Sequence, residues 1–209
     1  MSGVLPRRSL LAAPALALAA ALLPPGAARA AMPAQGYRFR LLREGREVGR
    51  HSVQAEADGS VRSVVLVEVK LLSFTVFRMR HEYSERWQEG RLVGYAALTE
   101  RNGAQGRVAL AATPEGLRGR GPEGEALALP AEAAPLAWWA PDHLPGRPLF
   151  DTATGALLEG APQRGRAGAE TLWQWAPRGM VARYDAAGRW TGFRMLGEDG
   201  SEVIYQPEG

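Results

Sequence analysis

The segment VRSVVLVEVKLLSFTVFRMRHEYSERW, residues 61–87, alternates between two sets of side chains along its whole length. Such a period of two is typical of β-strands. Apolar residues such as Val64, Leu66 and Val76 also occur on the side opposite the main apolar stripe, so both faces of these strands need cover. The segment therefore predicts two long strands in a sheet that curls around a core. The main stripe comprises Val61, Ser63, Val65, Val67, Val69 and Leu71, followed by Phe77, Met79, His81, Tyr83 and Trp87.

Turn residues separate similar alternating stretches on both sides of this segment. Asp58-Gly59 and Asn102-Gly103 are typical of two-residue hairpin turns. No long helical pattern intervenes, which favours antiparallel neighbours, since parallel strands need a crossover of about a dozen residues. Residues 124–139 are interpreted as a loop with at most one helical turn, and the irregular segment Pro141–Gly168 as a wrap over an edge or the open side of the sheet. The further predicted strands are Tyr37–Leu41, Val48–Ala57, Leu92–Arg101, Arg107–Ala112, Thr171–Ala176, Met180–Tyr184, Arg189–Leu196 and Glu202–Gln206.

These patterns predict an all-β fold with little helix. The expected architecture is a single curved antiparallel meander, a half-barrel or barrel of about 8 to 11 strands. Residues 31–209 are expected to form one domain, because that length fits a single hydrophobic core.

Residues 1–30 have the organisation of a cleaved export signal. Arg7 and Arg8 precede an apolar run of 14 residues, Leu10–Leu23, which is short for a membrane span. Ala28-Arg29-Ala30 is a small-residue cleavage signature, so cleavage is predicted after Ala30 and the mature protein is expected in the periplasm. An uncleaved anchor is the alternative. The paired arginines fit either a twin-arginine signal or an ordinary secretory one.

Charge and composition exclude several classes of partner and chemistry. The chain has 25 basic and 22 acidic residues, and three of the basic ones lie in the signal, which leaves 22 of each sign. This balance provides no basic footprint for nucleic acid. No later stretch approaches 18 apolar residues, so the mature protein is not expected to be transmembrane. The absence of cysteine excludes disulfides and thiolate metal sites.

Aromatic residues are the candidate ligand-binding groups. The sequence contains six tryptophans. An aromatic-lined cleft for an apolar or lipidic molecule is one interpretation, and a barrel interior filled by these side chains is the other. The candidate site residues are Phe77, Met79, His81, Tyr83, Trp87, Trp138, Trp139, Trp173 and Trp175.

No recognised catalytic or metal motif accompanies these residues. The three histidines, His51, His81 and His143, have spacings that match no compact metal motif, and neither a metal nor a cofactor is expected. His81 shares a strand face with Glu85, four residues later, which leaves open a hydrolase with a histidine base and an orienting carboxylate.

Several segments resemble an uncharacterised family of exported bacterial proteins, domain of unknown function 6134. They are Gly45–His51, Phe77–His81, Glu85–Arg91, Thr99–Gly103, Pro148–Gly155 and Tyr184–Trp190. Family members often carry Thr-His-Trp-Asn where this chain reads Ala137-Trp138-Trp139-Ala140, so that His and Asn are missing here. The resemblance implies export and a β-rich fold and no activity. The chain is also distantly similar to periplasmic half-barrels of the lipoprotein-carrier type, a likeness of fold alone.

Three functional hypotheses follow from the sequence. The first is a non-enzymatic exported protein with an apolar or lipidic ligand on the concave side of its sheet. The second is an interaction module that docks an envelope protein without a ligand. The third is the hydrolase that uses His81 and Glu85.

Overall fold

The computed structural model describes residues 32–72 and 74–208. The predicted export signal therefore lies outside the described residues. The described part of the chain is built from fifteen strands and two short 3₁₀ turns, at Pro141–His143 and Ala176–Arg178. The strands are β1 Tyr37–Arg43, β2 Arg46–Ala55, β3 Val61–Leu71, β4 Phe74–Gln88, β5 Arg91–Arg101, β6 Ala104–Thr113, β7 Gly116–Arg120, β8 Ala126–Leu129, β9 Ala134–Pro135, β10 Leu149–Phe150, β11 Gln163–Ala167, β12 Glu170–Trp175, β13 Met180–Tyr184, β14 Trp190–Leu196 and β15 Glu202–Pro207.

Thirteen strands form one antiparallel sheet in the order β11-β12-β13-β14-β15-β1-β2-β3-β4-β5-β6-β7-β8. The C-terminal β15 pairs with the N-terminal β1, so the two halves of the chain join into a continuous meander. The sheet does not close into a barrel. The predicted all-β antiparallel meander is confirmed, with two more strands than the upper expected number. β9 and β10 form a separate parallel pair.

The additional strands lie where the sequence has weak strand character. β7 reads GLRGR and β8 reads ALAL, and glycine and alanine are depleted in strands. Both are held by antiparallel pairing to a preceding strand. β8 falls inside residues 124–139, where the sequence predicted a loop with at most one helical turn, and β11 falls inside the segment predicted to be irregular.

The sheet is strongly curved. Arg101 at the end of β5 donates a hydrogen bond of 2.8 Å to Glu198, which lies in the turn between β14 and β15. Five strand spacings separate β15 from β5, which amounts to about 24 Å in a flat sheet. The ends of these strands can meet only because the sheet bends around its concave face.

The connection between β8 and β11 packs into the concave face. Trp138, Leu144 and Leu149 belong to a core cluster that contains Phe39 of β1 and Trp190 of β14. Phe150 from the same connection packs in a second cluster with residues of β4 to β8. The segment predicted to wrap an edge or the open side is therefore the inner filling of the sheet.

One of the two predicted two-residue turns has the required backbone geometry. Asn102 and Gly103 both have positive φ, 49° and 88°, as a type I′ hairpin turn demands. Glu89 and Gly90 repeat this pair of angles between β4 and β5. At Asp58-Gly59 only the glycine has positive φ, and the loop between β2 and β3 has five residues, so the prediction of a two-residue turn there is wrong. Within residues 32–72 and 74–208, the helical segments are too short to be candidates for membrane-spanning helices.

Candidate functional site

Two adjoining cavities occupy the concave face. The first has a volume of about 360 Å³ and the second about 330 Å³. Each exceeds the roughly 300 Å³ at which small-molecule sites begin. The two cavities adjoin, because both are lined by Val65, Met79, Arg178, Met195 and Tyr205.

The first cavity has apolar walls and a charged mouth. Its apolar lining comprises Leu41, Val48, Val65, Val67, Val69, Val76, Phe77, Met79, Met195, Val203 and Tyr205. At the mouth, Arg43 pairs with Asp199 and Arg101 pairs with Glu198. The third arginine, Arg178, forms no salt bridge among the described residues and interacts at longer range with Glu198, which already pairs with Arg101. The mouth therefore has one cation in excess.

The second cavity has a polar floor. Nε2 of His51 lies 2.8 Å from Oγ of Ser63, and Tyr83 lies opposite Ser63 on the neighbouring strand. The serine hydroxyl has one hydrogen and two lone pairs, so both tautomers of the imidazole fit this contact. Nδ1 of His51 is buried and has no hydrogen-bond partner among the described residues. An unsatisfied buried ring nitrogen of this kind is uncommon in folded proteins.

His81 lies on the same wall of the second cavity, two strands from His51 and on the other side of Val65. Its Nδ1 lies 2.8 Å from Oγ1 of Thr99, and its Nε2 lies 3.0 Å from Oγ1 of Thr152. Asp151 holds the Thr152 turn by accepting hydrogen bonds from the backbone N–H groups of Ala153 and Thr154. The ring is therefore fixed between a strand and the inner connection.

Gly155 ends this turn in a position that other residues do not fit. It has φ of +72°, and a Cβ there would lie 2.5 Å from Cδ1 of Leu127. Its backbone can therefore lie directly against β8, which places Thr152 opposite His81.

Burial keeps both cavity histidines neutral. Desolvation lowers the pKa of His51 to about 3 and that of His81 to about 4. Both rings are less than a tenth exposed. Near neutral pH they are therefore hydrogen-bonding groups without charge.

A second polar cluster surrounds Glu85, which is completely buried. Its Oε2 accepts a 2.8 Å hydrogen bond from the indole of Trp87, and its Oε1 accepts one of 3.0 Å from the indole of Trp139. The ring of His143 stacks on Trp87 at 3.8 Å between centroids and meets Trp139 edge-on. Desolvation raises the pKa of Glu85 to about 7, although both indoles favour the charged form.

The structure places the nine sequence-predicted site residues in four locations. Phe77 and Met79 line the first cavity, and Met79, His81, Tyr83, Trp138 and Trp175 line the second. Trp87 and Trp139 bind Glu85 instead. Trp173 lies in the core cluster, where it is 7% exposed. The last three residues point into packed parts of the interior, which a strand pattern cannot distinguish from a cavity wall.

His81 and Glu85 do not form a hydrogen-bonded pair among the described contacts. Four residues of extended strand separate them, which is roughly 13 Å. His81 is bonded to two threonines and Glu85 to two indoles. The sequence reasoning missed Ser63, Thr152 and Arg178, since small polar residues and a lone arginine carry no distinctive pattern.

A comparison with models of known protein families identifies the family of this chain. The model for the domain of unknown function DUF6134 matches residues 39–208. The chain belongs to this family. No curated protein matches this DUF6134 chain. It is similar to the crystal structure of a DUF1089 family protein from Pseudomonas aeruginosa, with 14% identity and a TM-score of 0.45 over 70% of this chain and 89% of the other.

The segments that carry the DUF6134 resemblance meet at the second cavity. Five of the six contribute to its wall, through His51, His81, Thr99, Thr152 and Trp190. The sixth, Glu85–Arg91, supplies the buried carboxylate and the indole of Trp87. The segments are far apart in the sequence, and the curvature of the sheet brings them together.

Proposed function

We propose that this DUF6134 protein is an exported binding protein, without catalytic activity, that holds an apolar or lipidic ligand in its concave face. The observation that carries the proposal is the pair of adjoining cavities, one with apolar walls and one lined by aromatic rings and neutral polar groups. Sites for small molecules have this composition of a mostly apolar lining with few polar groups.

The charge at the mouth indicates a ligand with an acidic head. Arg178 belongs to the lining of both cavities and forms no ion pair among the described residues. An apolar chain placed along Val67 and Val69 would put an anionic group next to this guanidinium.

The two other hypotheses have less support. A docking module without a ligand is best served by a fully packed interior, whereas this interior contains two cavities. A hydrolase needs a base in reach of its orienting group, and His81 and Glu85 each bind other partners.

Native mass spectrometry of gently purified protein, combined with titration of a fluorescent fatty acid, tests the proposal. Val67→Phe places a larger side chain in the first cavity and so reduces its volume. Leu66→Phe, the matched control, places the same side chain on the exposed outer face. We expect Val67→Phe to weaken probe binding by at least about tenfold and Leu66→Phe to leave it unchanged. A wild-type protein that carries no extractable lipid and does not bind the probe would refute the proposal.

A further inference from the structure

The hairpin between β3 and β4 extends beyond its neighbours in the sheet. Pairing of β2 with β3 ends at Gly49 and Val67, and pairing of β4 with β5 ends at Met79 and Arg101. Beyond these points, and apart from two hydrogen bonds between the backbone of Arg78 and Asn102, the described parts of β3 and β4 pair only with each other. We call this two-stranded projection, residues 69–72 and 74–77, the finger. Five residues beyond Met79 correspond to roughly 16 Å of extended chain.

The end of the finger carries three large apolar side chains in solvent. Leu72 is 91% exposed, Phe74 74% and Val76 54%. Leu72 also has a φ of +56°, a conformation that leucine rarely adopts and that glycine or asparagine adopts readily. The described chain offers no packing that offsets either the exposure or the backbone conformation. An exposed cluster of this kind marks an interaction site.

Positive charge surrounds the base of the finger. Glu68 is shared by two cations, Lys70 at 2.9 Å and Arg78 at 3.1 Å. Glu82 is likewise shared by Arg62 and Arg80. Farther from the finger, Glu100 lies opposite Arg80 and Glu47 binds Arg50, so those charges balance. At the base of the finger, Lys70 and Arg78 share one carboxylate, which leaves an excess of one positive charge there.

We infer that the finger docks the protein onto a phospholipid bilayer with anionic headgroups. Leu72, Phe74 and Val76 enter the interface between headgroups and acyl chains, and Lys70 and Arg78 contact the headgroups. An apolar end with a basic base is the arrangement by which peripheral segments bind such surfaces. The outer edges of the finger have no strand partner, and unpaired backbone groups are costly in hydrocarbon, so the insertion stays shallow.

The shape of the finger favours a bilayer over a second copy of the chain. With exposed fractions of 91%, 74% and 54%, three side chains of at most roughly 200 Å² each provide at most about 440 Å² per copy. Two copies together would bury about 880 Å², which is less than the total of roughly 1,200 Å² in a stable protein interface. A bilayer needs no complementary surface. The finger also supplies Val69, Val76 and Phe77 to the wall of the first cavity, so a docked protein would present that cavity to the lipid. The docking does not depend on whether the cavity holds a ligand.

Flotation with vesicles tests the inference. Wild-type protein is mixed with vesicles of phosphatidylcholine alone, or with phosphatidylglycerol added, and floated through a sucrose gradient. The finger variant is Leu72→Asn with Phe74→Thr, because asparagine suits a positive φ and threonine suits a strand. The control variant is Leu157→Asn with Ile204→Thr, which removes two exposed apolar side chains elsewhere.

We expect the wild type and the control to float with the anionic vesicles, and the finger variant to bind at least about tenfold more weakly. Lys70→Gln or 0.5 M salt should weaken binding by about threefold or more. Circular dichroism checks that each variant is folded. Equal flotation of wild type and finger variant would overturn the inference, as would no flotation of the wild type. Finger-dependent dimerisation in analytical ultracentrifugation, without flotation, would assign the finger to a second copy and would equally overturn it.

Discussion

A Glu85→Gln substitution removes a titrating group from the interior and leaves the size of the side chain almost unchanged. Both oxygens of Glu85 accept hydrogen bonds from indole N–H groups, of Trp87 and Trp139. An amide has one acceptor oxygen and one NH₂ group, so in the variant two donors face each other at one of these positions. That mismatch costs about 1–3 kcal/mol and does not depend on pH.

The pH-dependent contribution of Glu85 to the free energy of unfolding has the opposite sign, because it favours the variant as the pH rises. Burial raises the pKa of Glu85 from 4.5 to about 7. Between pH 4.5 and 7 folded Glu85 therefore keeps a proton that the unfolded chain releases, so the contribution of this residue to stability falls as the pH rises through this window, opposite in sign to that of the buried histidines. The loss amounts to about 3 kcal/mol, since one pKa unit corresponds to about 1.4 kcal/mol. The variant has no such loss, so its disadvantage should shrink by about that amount and disappear near pH 8.

Urea unfolding, followed by tryptophan fluorescence and circular dichroism between pH 4.5 and 8, measures this difference. Glu82→Gln is the matched control on the outer face of β4, where Arg62 and Arg80 hold the carboxylate near solvent. The difference in free energy of unfolding between Glu82→Gln and the wild type should stay constant between pH 5 and 8. If the free energies of unfolding of wild type and Glu85→Gln, plotted against pH, run parallel within about 0.5 kcal/mol, Glu85 does not titrate in this window and the reasoning from its burial is wrong.

Three further predictions concern two residues of the cavity walls and the turn that supports Thr152. The pKa of His81 falls from 6.5 to about 4 on burial, so this residue should contribute about 3 kcal/mol of stability at pH 7 that is lost as the pH falls to 4. Because His51 and Glu85 titrate in the same range, the quantity to compare is the difference in unfolding free energy between wild type and His81→Asn in the same urea assay. The advantage of the wild type over the variant should fall by about that amount between pH 7 and 4; a difference that does not vary with pH would count against a neutral, buried ring. Arg178→Gln should raise the dissociation constant of a carboxylate-headed acyl probe about fivefold and leave that of the matching alcohol unchanged, measured by fluorescence titration; equal effects on both probes would contradict a charged contact. Gly155→Ala should destabilise the protein by about 2 kcal/mol in thermal unfolding, because it combines a positive φ with a contact of 2.5 Å to Leu127; wild-type stability would show that the turn relaxes freely.

Much of the sheet could be predicted locally. β13 was predicted with its observed bounds, and β12, β14 and β15 within one residue at each end. Strand alternation and turns such as Asn102-Gly103 depend on neighbouring residues alone, because side chains alternate along any extended chain and few residues tolerate positive φ. Strands of low propensity were missed, since β7 and β8 exist through pairing with partners already in place.

The candidate site depends on contacts between segments that lie far apart in the sequence. The alternation placed Met79, His81 and Tyr83 on one face, and that face does line the second cavity. The same alternation placed Trp87 and Glu85 there as well, but the inner connection brings Trp139 onto Glu85 and closes that end.

The sequence by itself determined the strands, the tight turns and the face on which each side chain lies, because these follow from interactions between residues close together in the chain. Only the tertiary structure decided that β15 pairs with β1, that residues of the inner connection fill the concave face, and that this filling stops short of Val67 and Met79. Whether an inward-facing side chain borders a cavity or a packed neighbour depends on which distant segment of the chain reaches it. The curvature of the sheet, accumulated over thirteen strands, determines how near that segment comes.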